Sequence, residues 1–189
     1  KSYDESKIAG RRGVGGVIEV NDATVAVVAN TWWRAKAALD ALPIVWDEGP
    51  GAKQSSATIA AHLAGGLTSG DAFADINDGN ALQAIAGAAK KIEAVYSTPF
   101  LSHSCMEPMN CTVRITANKA EVWMPSQNAE ASLAALSSAS GLPLAQCEAY
   151  NHGLGGGFGR RGGTQDFVRQ AVAIAQRYPG RPVKMVWNR

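Results

Sequence analysis

Three stretches of this sequence hold groups suited to chemistry. The first is Gly153-Leu154-Gly155-Gly156-Gly157-Phe158-Gly159-Arg160-Arg161-Gly162-Gly163. Glycines bring backbone N–H groups close to a ligand and accept positive φ. Such a loop opening a helix forms an anion site from unpaired N–H groups and the helix dipole. Arg160 and Arg161 supply guanidinium forks suited to phosphate. The run is not a standard nucleotide motif. Counted from Gly153, the sixth position of a Gly-x-Gly-x-x-Gly fingerprint is Phe158, and counted from Gly155 it is Arg160. The Gly-Lys-Ser/Thr of a phosphate-cradling P-loop is absent. A flexible surface loop stays open as a reading. RNA binding is poorly supported, because RGG segments act through repetition.

The second stretch is His103-Ser104-Cys105-Met106-Glu107-Pro108-Met109-Asn110. In a strand, His103, Cys105 and Glu107 would share a face. That arrangement suits a Cys–His nucleophilic pair or a metal site. Alternation alone is thin support, and a buried polar segment is the favoured reading. The third is Gln127, directly after Pro125-Ser126. Taken alone, it is a surface or capping residue.

The elements that must position these groups are legible from pattern. Val17–Val20 and Thr24–Ala29 read as strands joined at Asn21-Asp22. A helix capped by Asn30 or Thr31 carries Trp32, Ala35, Leu39 and Leu42 on one face and stops at Pro43, and Ile44–Trp46 reads as a strand. Residues 47–80 are looser, with Ser56 capping a helix through Leu63. A short helix follows from Ala81 to Ala88, and Ile92–Tyr96 reads as a strand. Thr112–Ile115 and Glu121–Met124 form a hairpin about Asn118-Lys119. A helix from about Asn128 to Ser138, with Ser126 a candidate cap, ends at Gly141 and Pro143. Cys147–Tyr150 is a short strand. Thr164 caps a helix striped by Phe167, Ala171, Ile174, Ala175 and Tyr178, and Pro182–Trp187 is the last strand. The fold class is therefore α+β.

Bulk properties exclude little. The chain has 189 residues, of which 46% are hydrophobic and 18% charged, an ordinary globular balance. Its net charge of +2, without a basic stripe, gives no sign of a nucleic-acid partner. Cys105, Cys111 and Cys147 are an odd set without a Cys-x-x-Cys pair, so no zinc ribbon or iron–sulfur cluster is encoded. No apolar run approaches the ~20 residues of a membrane span. The chain starts at Lys1 without Met and stops at Arg189 just after Pro182–Trp187, which reads as a piece of a longer protein.

The order of segments is more specific than any one of them. Pro99–His103 runs into Met106-Glu107-Pro108-Met109-Asn110-Cys111-Thr112. Then come Trp123–Asn128, Gly155–Arg161, Asp166-Phe167 and Pro182-Val183-Lys184. This series resembles the molybdenum-binding subunits of the xanthine oxidase/aldehyde oxidase family. The MEPMN segment and the Arg160-Arg161 pair resemble the isoquinoline 1-oxidoreductase branch. Residues 14–50, with Trp46-Asp47-Glu48-Gly49, are more loosely similar to the end of that family's hammerhead domain.

The resemblance implies a division into a partial hammerhead-like strand–helix–strand element (1–50), a connecting segment with short helices (51–90), and the N-terminal part of a molybdopterin-binding domain (91–189). It implies a cofactor, molybdopterin cytosine dinucleotide with molybdenum, in the full-length enzyme. The activity implied is oxidation of aldehydes or N-heteroaromatic rings with water. Electrons would pass to an iron–sulfur small subunit, and a cytochrome c is a further implied partner. By position, Gln127 matches the family glutamine that hydrogen-bonds an oxo ligand of the molybdenum. Gly156, Gly157, Phe158, Gly159 and Arg160 match the loop against the cofactor. Purine-oxidising members carry a glutamate where this chain has Gly162, so purines are disfavoured. The family's base glutamate belongs to a later segment. The chain alone is expected to bind no molybdenum and to be inactive. Branch members favour a periplasmic location, with the cytoplasm as the alternative. A non-catalytic anion- or nucleotide-binding module is the rival reading.

Overall fold

The computed structural model describes residues 1–71, 73, 75, 76 and 78–188. It contains two compact units, one of Lys1–Asp47 with the chain from His103 onward, the other of Glu48–Ser102.

The larger unit begins with β1 (Ser2–Tyr3), followed by β2 (Val14–Asn21) and β3 (Thr24–Ala29), an antiparallel hairpin closed at Asn21 and Thr24. Thr31 caps α1 (Trp32–Ala41), its side chain accepting from the N–H of Arg34. Pro43 then turns the chain into β4 (Ile44–Val45), which pairs antiparallel with β1. Ala38 on the inner side of α1 and Leu42 just past its end bury against Ile8 and form a small core with Val14, Val17 and Val27. The strand–helix–strand pattern of the sequence is present. β1 was not visible in it, because two residues carry no periodicity.

The main sheet has the order β7-β6-β5-β8. It comprises β5 (Asn110–Ile115), β6 (Ala120–Met124), β7 (Cys147–Asn151) and β8 (Val183–Val186). β5 is antiparallel to β6 and β8, and β6 is parallel to β7. Cys111, Val113 and Ile115 alternate inward, opposite Ala120, Val122 and Met124. On the other face, Trp123 and Tyr150 stack across the parallel pair, with ring centroids 5.2 Å apart.

Two helices cover the inner face. α4 (Ala129–Ser140) packs on β6 and β7, and α5 (Asp166–Ala175) on β5 and β8. α5 buries Phe167, Val168, Ala171, Val172, Ile174 and Ala175, a stripe at helical spacing. Gly141 ends α4 with φ +78°, the left-handed conformation glycine adopts without cost.

Two expected caps are displaced. Asn128, not Ser126, caps α4 by accepting from the N–H of Ala131; Ser126 Oγ accepts from the N–H of Asn128 instead. Thr164 does not cap α5. Gln165 holds that position without a side-chain cap, because its amide donates to the Gly162 carbonyl and accepts from the Ser132 hydroxyl.

The smaller unit contains α2 (Ser56–Gly66) and α3 (Ala81–Ala86), neither with a buried residue. Ser55 and Thr58 make a reciprocal capping box on α2, one residue earlier than expected, and the helix runs past Leu63. The expected strand at Ile92–Tyr96 does not form. Ile92, Val95 and Tyr96 are all exposed. β-branched residues fit a pleated, half-buried surface, and no strand pairs with this segment to provide one.

Candidate functional site

Three loops meet at one end of the main sheet. β6 and β7 run parallel and emit the 125–128 turn and the glycine loop there. β5, antiparallel to β6, begins at that same end, so the Cys105–Met109 segment enters beside them. The sheet register thus brings together stretches that are some twenty to fifty residues apart in sequence.

Gln127 is the meeting point. Its backbone N–H donates to the Arg161 carbonyl at 3.1 Å. Its side-chain Oε1 accepts from the N–H of Gly159 at 3.0 Å and of Arg161 at 3.3 Å. Two donors fix the amide's orientation, since an NH₂ group cannot accept from an N–H. Nε2 is thereby left as an exposed donor.

The glycine loop folds tightly around this amide. A Cβ on Gly157 would stand 2.3 Å from Gln127 Oε1, and one on Gly155 would stand 2.6 Å from the Glu107 Cβ. Gly156 and Gly159 have φ of +98° and +92°. Phe158 is held at φ +52° with its ring 72% exposed, a strained backbone at an aromatic that contributes little to the core. Among the described residues, the N–H groups of Gly156, Gly157 and Phe158 have no acceptor. Consecutive unpaired amides in such a conformation form a concavity for anionic oxygens.

Glu107 and Arg161 brace the loop from beneath. Glu107 accepts from the N–H of Gly155 at 2.9 Å and from the Asn110 amide at 2.9 Å, and its own N–H donates to the Gly155 carbonyl. Burial pushes the Glu107 carboxyl upward, but Gly155, Asn110, Arg161 and His152 outweigh it and hold it below the usual carboxylate range. Arg161 is fully buried; it donates to the carbonyls of Glu107 at 2.6 Å and Pro125 at 3.4 Å, and lies 3.3 Å from the Glu107 carboxylate. Cys105 Sγ donates to the Gly157 carbonyl at 3.4 Å.

Gln127, Gly156, Gly157, Phe158 and Gly159 therefore gather in one place. Arg160 is adjacent, but its guanidinium forms a bidentate pair with Asp166 at 2.8 and 2.9 Å and lies 5.1 Å from the Trp187 ring centroid. Arg161 corrects an expectation: it presents no fork to a phosphate, because its guanidinium is consumed inside the protein. Sequence reasoning named Glu107 and Arg161 as candidates but missed the bracing role that they take beneath the loop. An Arg-Arg pair does not say which member turns inward. His103, Cys105 and Glu107 lie in irregular chain, so the alternation argument does not apply. Among the described residues, no group of three metal-ligating side chains exists.

Residues 67–189 match the sequence profile of the molybdopterin cofactor-binding domain. The chain belongs to that family. It is 32% identical over 118 residues to the aldehyde oxidoreductase molybdenum-binding subunit PaoC of Escherichia coli O157:H7 and of strain K12; the match covers 61% of this chain and 16% of the relative. The chain thus spans about a sixth of the length of these curated relatives. Among solved structures, quinoline 2-oxidoreductase from Pseudomonas putida 86 superposes with a TM-score of 0.71 at 16% identity, covering 99% of this chain and 29% of that one. The copper–molybdenum carbon monoxide dehydrogenase gives 0.60 at 19%, covering 100% and 30%. The architecture is the mixed α+β fold of these proteins. The glycine loop of this molybdopterin-binding domain fits an anionic, phosphate-bearing cofactor: it offers consecutive unpaired amides beside the outward donor of Gln127. Among the described residues, no helix is long and apolar enough to cross a membrane.

Proposed function

We propose that this chain forms one wall of the molybdenum-cofactor site of an oxidoreductase that hydroxylates aldehydes or N-heteroaromatic rings. The observation that carries the reading is the Gln127 amide, locked by Gly159 and Arg161 so that a donor faces outward beside the free N–H groups of Gly156–Phe158. When bound, molybdopterin-ligated molybdenum supplies oxygen-transfer and two-electron redox chemistry.

The chain's own residues then have defined tasks. Gln127 Nε2 donates a hydrogen bond to an electron-rich atom at the reacting centre, already aligned before substrate arrives. The amides of Gly156, Gly157 and Phe158 bind the cofactor's anionic part. Phe158 presents an aromatic edge that narrows the approach and excludes water. Gly159 holds the Gln127 carbonyl. Arg160, pinned on Asp166 and Trp187, fixes the end of the loop against α5.

The finer reading is an isoquinoline 1-oxidoreductase-like enzyme. The MEPMN segment and the Arg160-Arg161 pair support it, and the aldehyde option rests on the curated relatives. Its cofactor would be the cytosine dinucleotide form, its electron acceptor an iron–sulfur subunit and then a cytochrome c. Residues 1–50 would be the end of a hammerhead-like domain, 51–90 a connector, and 91–189 the start of the cofactor domain. The chain by itself would be inactive.

The test is elemental analysis for molybdenum on the full-length protein, together with assay of released CMP. About one of each per protein supports the reading. Neither, in a folded protein from a cofactor-competent host, would favour a module binding simple anions or nucleotides through the same loop.

A further inference from the structure

We infer that Arg161 is a positioning residue for Gln127: its buried guanidinium sets the orientation in which the amide presents Nε2. This rests on the cofactor-site reading above.

The guanidinium is 0% exposed, yet among the described residues its only ionic partner is Glu107 at 3.3 Å. Its Nε has no acceptor, the one such buried side-chain atom among the described residues. Burying a cation is costly unless it is fully bonded, and an apolar residue of similar size is often as stable or more so. Stability therefore does not explain an arginine here. Geometry does. One rigid plane donates both to the Glu107 carbonyl, in the segment entering β5, and to the Pro125 carbonyl, in the turn leaving β6. That ties the two loops together just beyond the last paired residues of β5 and β6.

Gln127 lies two residues beyond Pro125. Arg161 also holds it directly, accepting from its backbone N–H and donating an N–H to its Oε1. Ser126 Oγ donates to the same Arg161 carbonyl at 3.2 Å. The main chain of residue 161 thus follows the amide, while its side chain anchors the turn that carries it. Arg160 cannot substitute, since Asp166 and Trp187 occupy it.

Arg161→Lys is the informative variant. It keeps a cation beside Glu107, but an ammonium lacks the rigid fork that reaches both carbonyls. It should be made in the full-length protein beside Gln127→Ala and the double variant, with molybdenum content, electron paramagnetic resonance of the reduced metal, turnover and a crystal structure as readouts. We expect Arg161→Lys to load metal like the wild type and to shift the resonance as Gln127→Ala does. Turnover should fall about 10- to 100-fold, the scale of a misplaced group at a reacting centre. The double variant should be no slower than Gln127→Ala alone, because both changes remove one interaction. In the crystal, the bond from Gly159 N–H to Gln127 should be lost. Multiplying losses in the double variant, loss of metal from Arg161→Lys, or a wild-type resonance would overturn the proposal. So would a crystal structure of Arg161→Lys with the Gln127 bonds intact, whatever the metal content. A metal-free wild-type protein would instead count against the cofactor reading, leaving the crystal structure to decide the positioning role.

Discussion

Gly157 lies so close to Gln127 that a Cβ on the glycine would stand 2.3 Å from the glutamine's Oε1. A methyl group cannot be added there unless the amide or the loop moves. Gly157→Ala should cost about 1–3 kcal/mol, the usual penalty of overpacking, and should lower cofactor content. Thermal unfolding and metal analysis check both. Unchanged stability with full loading would mean that the loop and amide are not in contact in solution.

Removing the amide is a different experiment. In the loaded full-length enzyme, Gln127→Ala should retain molybdenum and lose about 3 kcal/mol of transition-state stabilisation, on the order of 100-fold in turnover. Wild-type rates at full loading would remove Gln127 from the reacting centre.

Phe158 separates stability from function. A non-glycine residue at positive φ costs roughly 1–2 kcal/mol, part of which is offset by glycine's larger unfolded-state entropy. Phe158→Gly should therefore leave the protein equally stable or up to about 1 kcal/mol more stable, while turnover falls. Urea unfolding of the variant beside a rate assay tests the pair of outcomes. A clear drop in stability would show the ring packed rather than presented.

The Glu107 carboxyl gives a pH signature. Its folded value lies below the ordinary glutamate value of 4.5. Its contribution to stability is thus complete above about pH 4.5 and lost as pH falls through the depressed folded value. Glu107→Gln should be less stable at neutral pH and should lose less stability than wild type on acidification below that point. Parallel pH–stability curves for the two proteins would rule out the ion pair with Arg161 as a contributor.

Burial pushes the Cys111 thiol up to about 12, and the residue is fully inside the core. It should resist iodoacetamide at pH 8 in the native protein and react only on unfolding, because the thiolate is the nucleophile. Peptide mass spectrometry with and without denaturant reads this directly. Native labelling at Cys111 would mean that the sheet opens there.

Local pattern was enough for much of this protein. The alternation of Cys111, Val113 and Ile115, the stripe along α5, and the Gly141–Pro143 stop each follow from side-chain period and backbone freedom, which neighbouring residues set. The ordered glycine, Pro-Ser-Gln and MEPMN segments resemble the cofactor family without reference to the fold. The sequence misled where burial decides. Ile92–Tyr96 has strand-forming residues but no neighbour to pair with. Thr164 and Ser126 have the right chemistry for caps, yet the network around Ser132, Gln165 and Arg161 claimed those positions differently. Above all, the sequence could not tell Arg160 from Arg161. Their neighbours in the chain are almost the same, and only the closure of the sheet sends one guanidinium out to Asp166 and Trp187 and the other inward, between Glu107 and Pro125. A side chain's type and spacing are local facts, whereas the side of the core on which it falls depends on contacts between residues distant in sequence.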